Sequence, residues 1–236
     1  MATFVLVHGA WHGGWCWRAV ADLLAADGHK VFTPTLSGLA DRAHLLTRDI
    51  SLDTHIRDVA SLIEWEELQD VVLCGHSYGG MVVTGAADAV ADRLHALVYL
   101  DAFVPQDGES LETYAPPHRI THMYEEAEKY GDGWKVPPLP VTAWLQDAAQ
   151  QAWVEPKVTP HPLRCMNEPI SLSGAYKSVT DKHYILASAN DPSAFQPIHA
   201  HLRGEPDWQC HAIDGPHDLM VSHPAETTAL LLKAAG

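Results

Sequence analysis

The stretch VVLCGHSYGGMVV, residues 71–83, sets a serine between two glycines directly after an apolar, β-branched run. A run of that kind, closed by glycine, reads as a buried strand. Beyond it Met81, Val82, Ala86 and Val90 recur at the spacing of one buried helix face. Strand, abrupt turn and helix together form the setting in which G-x-S-x-G displays a nucleophile. The strained turn leaves no room for a side chain two positions to either side of the serine, which accounts for Gly75 and Gly79. Ser77 is therefore read as a nucleophile; a glycine-rich turn with an incidental serine would need neither flank.

Working outward, the same kind of run recurs at FVLV (4–7), KVFTP (30–34), ALVYLD (96–101), HYILAS (183–188) and WQCHAID (208–214). These read as buried parallel strands. Helical patterns lie between them: in LDTHIRDVASLIEWEEL (52–68), Ile56, Val59, Ala60 and Ile63 share one face. Strand and helix alternate, so the class is α/β. A final helix is expected from Pro224, since proline suits a first helical turn.

Residues 105–181 break this rhythm, with ten prolines, Trp134, Trp144 and Trp153, and no clean strand run. They read as a cap inserted into a core made of 1–104 and 182–236. Lying between two core strands, the cap is expected over the carboxyl edge of the sheet, where open α/β folds carry their sites.

Fifteen basic against thirty acidic residues give a formal net charge of −15 in this chain of 236. That field repels nucleic acid and anionic membrane surfaces, and favours a neutral or cationic small substrate. Cys16, Cys74, Cys165 and Cys210 are scattered without a CxxC pair, against a zinc cluster or disulfide framework. The opening ATFVLVHGAW lacks a signal-type charge and apolar length, and no later run reaches membrane-spanning length, so a cytoplasmic location is expected.

A serine hydroxyl needs a histidine to take its proton and a carboxylate to orient that histidine. On this motif they follow in the order acid, then histidine, with the histidine in the loop after the last strand. Of sixteen histidines, His217 in IDGPHDLM holds that place. Neighbouring His211 reads as a strand residue, His223 as a helix start and His76 as a structural hydrogen-bonding partner. His118 with His122, and His199 with His201, lack a third metal ligand, so no metal and no cofactor is expected. For the acid, Asp191 follows a strand end and precedes His217, and is favoured; Asp101, ending the preceding strand, competes. The oxyanion of an acyl-transfer intermediate needs backbone donors. The N–H of Tyr78, after the serine, and the N–H of Ala10, in the HGAWHGGW loop, are assigned.

VLVHGAWHGGWCW, GHSYGG, SANDPSAFQ and GPHDLMVSHP together resemble the α/β-hydrolase group of plant methyl esterases, hydroxynitrile lyases and bacterial pyrethroid- or carbendazim-hydrolysing esterases. The resemblance runs nearly end to end and weakens within 105–181. It implies an α/β-hydrolase fold: a mostly parallel sheet with helices on both faces and a small, mainly helical cap inserted after the sixth-strand equivalent. It also implies the Ser77, Asp191, His217 triad and the Ala10 and Tyr78 donors. The lyases of this group carry threonine and lysine where this chain has Gly9 and Asp218, which favours the esterase. The expected function is cleavage of a small, largely apolar carboxylic or carbamic ester. Lyase or acyltransferase chemistry, or a non-turnover ligand receptor, are the alternatives. Trp11, Trp144 and Trp153 are candidates for the substrate pocket, and a cap-mediated homodimer fits the resemblance.

Overall fold

The computed structural model describes residues 1–190 and 193–236. In chain order, β1 (Thr3–Val7), α1 (Arg18–Ala26), β2 (Lys30–Phe32), α2 (Leu52–Trp65), β3 (Val71–His76), α3 (Gly79–Ala89) and β4 (Leu94–Leu100) form the first part of the molecule. The chain then leaves the sheet for α4 (Pro117–Tyr130), β5 (Lys135–Val136), α5 (Ala148–Val154), β6 (His161–Pro162) and α6 (Arg164–Asn167). It returns through β7 (Asp181–Ala187), α7 (Phe195–Leu202), β8 (Trp208–Ile213), α8 (Leu219–Ser222) and α9 (Pro224–Lys233).

The main sheet has six strands in the order β2-β1-β3-β4-β7-β8, every neighbouring pair parallel. Each strand run expected from the sequence is a strand of this sheet. Alternation along the strands splits the core by face. Phe4, Leu6, Val72, Cys74, Val98 and Ile185 join Val20, Leu24 and Leu231 of α1 and α9 on one side. Val5, Val7, Leu73, Leu97, Tyr99 and Tyr184 join α2, α3 and α7 on the other. In α2, Val59, Ala60 and Ile63 are buried, and Ser51 caps the helix by accepting from the Thr54 N–H while Thr54 reaches back to the Ser51 N–H.

Chain order reverses between β1 and β3, and ligands in such sheets bind beyond the carboxyl ends at that switch point. The register Val7↔Gly75 brings both strands to an end side by side there. The segment between β4 and β7 differs from its sequence reading in one respect. Lys135–Val136 and His161–Pro162 pair as an antiparallel ladder, too short to leave a period-2 signal. Among the described residues, no helix is long and apolar enough to cross a membrane.

Candidate active site

Three strand ends deliver non-glycine residues with left-handed backbone: Trp11 after β1 (φ 64°), Ser77 after β3 (φ 54°) and Asp101 after β4 (φ 43°). Such conformations cost about 1–3 kcal/mol each and persist only where the surroundings over-determine them. Ser77 is held from both sides of its backbone. Its N–H donates to the Leu100 carbonyl at 3.2 Å, and its own carbonyl accepts from Gly80 at 3.0 Å and Phe103 at 3.2 Å. A Cβ at Gly75 would stand 2.5 Å from the Gly79 carbonyl oxygen, and one at Gly79 would stand 2.8 Å from that of His8. Both glycines of the motif are thus required by contact, as the sharp turn demands.

Asp101 is fully buried and fixed by three donors. Its Oδ1 accepts from the Ala187 N–H at 3.1 Å, and its Oδ2 accepts from Asn190 Nδ2 at 3.1 Å and from His217 Nδ1 at 2.6 Å. That last bond fixes the His217 tautomer, with the proton on Nδ1 and a lone pair on Nε2. His76 Nε2 donates to the His217 carbonyl at 3.1 Å, anchoring the loop that carries the ring. Phe195 stacks on the imidazole with centroids 5.0 Å apart and planes within 6°, and Phe103 packs on Phe195 at 4.9 Å. The favoured acid, Asp191, lies outside the described residues. Within them the orienting bond to His217 goes to Asp101, the competitor in the sequence.

The loop after β1 lies against the elbow, since a Cβ at Gly9 would stand 2.9 Å from Ser77 Cβ. Its peptides are pinned one by one. His8 Nδ1 donates to the Gly9 carbonyl at 2.8 Å while its Nε2 accepts from the Leu36 N–H. In a trans peptide the carbonyl and the next N–H point opposite ways, so this bond turns the Ala10 N–H away from His8. His12 Nδ1 donates to the Ala10 carbonyl at 2.8 Å. Trp11 is stapled to the 105–181 segment: its N–H donates to His161 Nδ1, its carbonyl accepts from the Thr159 N–H, and its indole Nε1 donates to the Val136 carbonyl. Among the described residues, the N–H groups of Ala10 and Tyr78 have no acceptor within the chain.

Burial pushes His8 down to about 3 and His55 down to about 4, and holds His76 and His161 well below the ordinary histidine range. These four are neutral hydrogen-bonding groups at pH 7. His12 is the exception. Burial would lower it too, but Asp218 Oδ2, 3.0 Å from its Nε2, raises it above its ordinary value. Burial likewise opposes charge on Asp218, yet His12 first, then His76 and His217, hold the carboxyl below its ordinary value. Asp218 stands where the lyases carry lysine, and its side chain is wholly buried against His12.

Trp11 and Trp144 stack on each other at 5.5 Å. Trp153 instead packs edge-on against Trp15 at 5.3 Å, under the Lys157 ammonium. Among the described residues, two donor sets come within metal-binding span, His55 with His161 and Cys165, and His76 with His217 and Asp218. In the first, both His55 ring nitrogens are taken by Tyr78 Oη and the Ser37 carbonyl, and burial pushes the Cys165 thiol up. In the second, His217 Nδ1 and Asp218 Oδ2 are taken by Asp101 and His12. Phe195, Phe103, His8 and His12 had no role in the sequence reading, although the two phenylalanines sit in the SANDPSAF and LDAF segments that supplied the acids.

Residues 4–230 match the alpha/beta hydrolase family. The chain is 43% identical over 233 residues to the carbendazim hydrolyzing esterase of Nocardioides sp. (strain SG-4G), covering 96% of each. It is 29% identical over 251 residues to the pFDCC methylesterase MES16 of Arabidopsis thaliana, covering 98% of this chain and 93% of that protein. Among solved structures, an extracellular alpha/beta-hydrolase from a Paenibacillus species superposes with a TM-score of 0.87 at 24% identity over 99% of both chains. The MES16 structure superposes at 0.78 with 26% identity over 99% of this chain and 98% of that one.

Proposed function

We propose that this chain, which belongs to the alpha/beta hydrolase family, is an esterase that cleaves a small, largely apolar carboxylic or carbamic ester through an acyl-enzyme on Ser77. The observation that carries the reading is the 2.6 Å bond from His217 Nδ1 to Asp101 behind the strained elbow. It leaves His217 Nε2 as a base. The similarity to a carbendazim hydrolyzing esterase and to a methylesterase supports the ester class and a small alkoxy leaving group.

In this mechanism Ser77 Oγ attacks the carbonyl carbon as His217 Nε2 takes its proton. The negative charge that develops on the carbonyl oxygen is received by the Ala10 and Tyr78 N–H groups. Asp101 stabilises the imidazolium without taking the proton. Collapse expels the alkoxy group, which leaves as the alcohol with the proton from His217. Water, deprotonated by His217, then attacks the acyl-enzyme, releasing the acid, or a carbamic acid from a carbamate, and restoring Ser77. The stacked Trp11–Trp144 pair beside the Ala10 donor and the Phe195 ring on His217 suit a largely apolar acyl group.

The test is a hydrolysis screen across methyl, aryl, pyrethroid and carbamate esters, with Ser77→Ala as control and mass-spectrometric mapping of a phosphonate label. Turnover that vanishes in Ser77→Ala, with label on Ser77, is the expected outcome. Full turnover in the variant, or label elsewhere, would overturn the assignment.

A further inference from the structure

Asp218 immediately follows the base His217, but its carboxylate bonds to His12. It lies wholly buried, with Oδ2 3.0 Å from His12 Nε2. His12 is 2% exposed and uses its other nitrogen to grip the Ala10 carbonyl at 2.8 Å. An imidazole that donates from both nitrogens is an imidazolium, so the contact is a buried ion pair. The groups facing it are His76, whose Nε2 is 3.8 Å from Asp218 Oδ1, together with His217, His8 and the Cys16 thiol. None of these is a second carboxylate or a lysine. The Asp218 N–H donates to the Trp144 carbonyl at 3.2 Å, and the Trp144 ring sits edge-on to His12 at 5.0 Å. One residue thus ties together the loop of the base, the loop of the oxyanion donor and the 105–181 segment.

Placing a carboxylate and an imidazole in a dry site costs several kcal/mol for each ion before their attraction is counted, so stability alone is a weak reason for such a pair. Its geometry offers another. Fixing the Ala10 carbonyl fixes the plane of the peptide that follows Ala10, while His8 fixes the plane that precedes it. The Ala10 N–H is then aimed from both sides.

We propose that Asp218 and His12 are a positioning pair: Asp218, through His12, holds the oxyanion loop in register with His217, so that the Ala10 N–H meets the oxyanion in the transition state. The proposal rests on the esterase reading above. A donor that acts on the transition state appears in kcat, whereas ground-state binding appears in KM. Outright loss of an oxyanion donor costs about 10²–10³-fold, so misplacing one is expected to cost less.

The experiment measures kcat and KM of Asp218→Ala and Asp218→Asn on an aryl ester, per active site titrated with a phosphonate, with melting temperatures in parallel. Asp218→Ala is expected to lose about 10–10²-fold in kcat with KM within about threefold of the parent. Asp218→Asn keeps a neutral hydrogen bond to His12 and is expected to regain most of that loss, retaining a deficit of about 3–10-fold in kcat. If Asp218→Ala yields no titratable protein, the Asn variant alone decides. A parental kcat per titrated site, or a loss confined to KM, overturns the proposal. Turnover persisting in Ser77→Ala would instead overturn the esterase reading, so the two failures are separable.

Discussion

His217 and Asp218 are neighbours in the chain, and each is half of a buried histidine–carboxylate pair, one with Asp101 at 2.6 Å and the other with His12 at 3.0 Å. The two regions are built from the same chemistry and cannot do the same work. In the first pair the histidine spends Nδ1 on the carboxylate and keeps the Nε2 lone pair. In the second it spends both nitrogens, on Asp218 and on the Ala10 carbonyl, and has no lone pair to accept a proton. Proximity of histidine to aspartate does not make a base; an uncommitted nitrogen does.

The strongest way to break this contrast is to remove the free nitrogen. His217→Ala should lower kcat by about 10⁴–10⁶-fold on any ester the enzyme accepts, measured by steady-state kinetics, because base and serine act as a unit. A smaller loss than that of Asp218→Ala would invert the roles assigned to the two pairs. Next in size is Gly9→Ala, whose new Cβ would meet Ser77 Cβ and His76 Nδ1 at 2.9 Å. Displacing the loop that carries the Ala10 donor should cost about 10²–10³-fold in kcat while far-ultraviolet circular dichroism stays unchanged. Phe195→Ala removes the ring stacked on His217 but no hydrogen bond. It should cost about 10-fold in kcat, because rotational freedom of the imidazole degrades its aim.

A separate readout is stability against pH, where the two kinds of buried histidine carry opposite signs. His8 and His55 are lowered to about 3 and about 4 from 6.5, so below about pH 6.5 the unfolded chain takes up protons that the folded one refuses. Their contribution is full above 6.5 and lost as pH falls, at about 1.4 kcal/mol per histidine per pH unit. His12 is raised, so its contribution is full below 6.5 and lost as pH rises through its folded value. Asp218 is lowered, so its contribution is present above its ordinary value and lost only as pH falls through the folded one. The melting temperature should therefore decline steadily from pH 6.5 to 4.5. A flat profile by calorimetry would contradict neutral, buried His8 and His55.

What the sequence disclosed follows from range. The six strands and α2 were legible because period and β-branched content are local properties, and the sharp turn at Ser77 because its steric needs are written into five consecutive residues. The acid was not decidable in the same way. Asp101 and Asp191 both follow strand ends, and what turns Asp101 toward His217 is a left-handed backbone and the Ala187 and Asn190 donors, contacts from across the sheet. The role of HGAWHGGW was only half visible. The sequence assigned it the Ala10 donor, but the acceptor for the Trp11 N–H is His161, in the two-residue β6 that no periodicity marks. Asp218 was noticed as a departure from relatives. Its use depends on His12, more than two hundred residues earlier in the chain.

The central claim is that Asp101 orients the base. Asp101→Asn and Asp191→Asn, compared on one aryl ester at pH 7 per titrated active site, test it most directly. The asparagine at 101 would favour the wrong His217 tautomer and should lower kcat by about 10⁴-fold, while the change at 191 should cost less than about 10-fold. A collapse at 191 with activity retained at 101 would contradict the account.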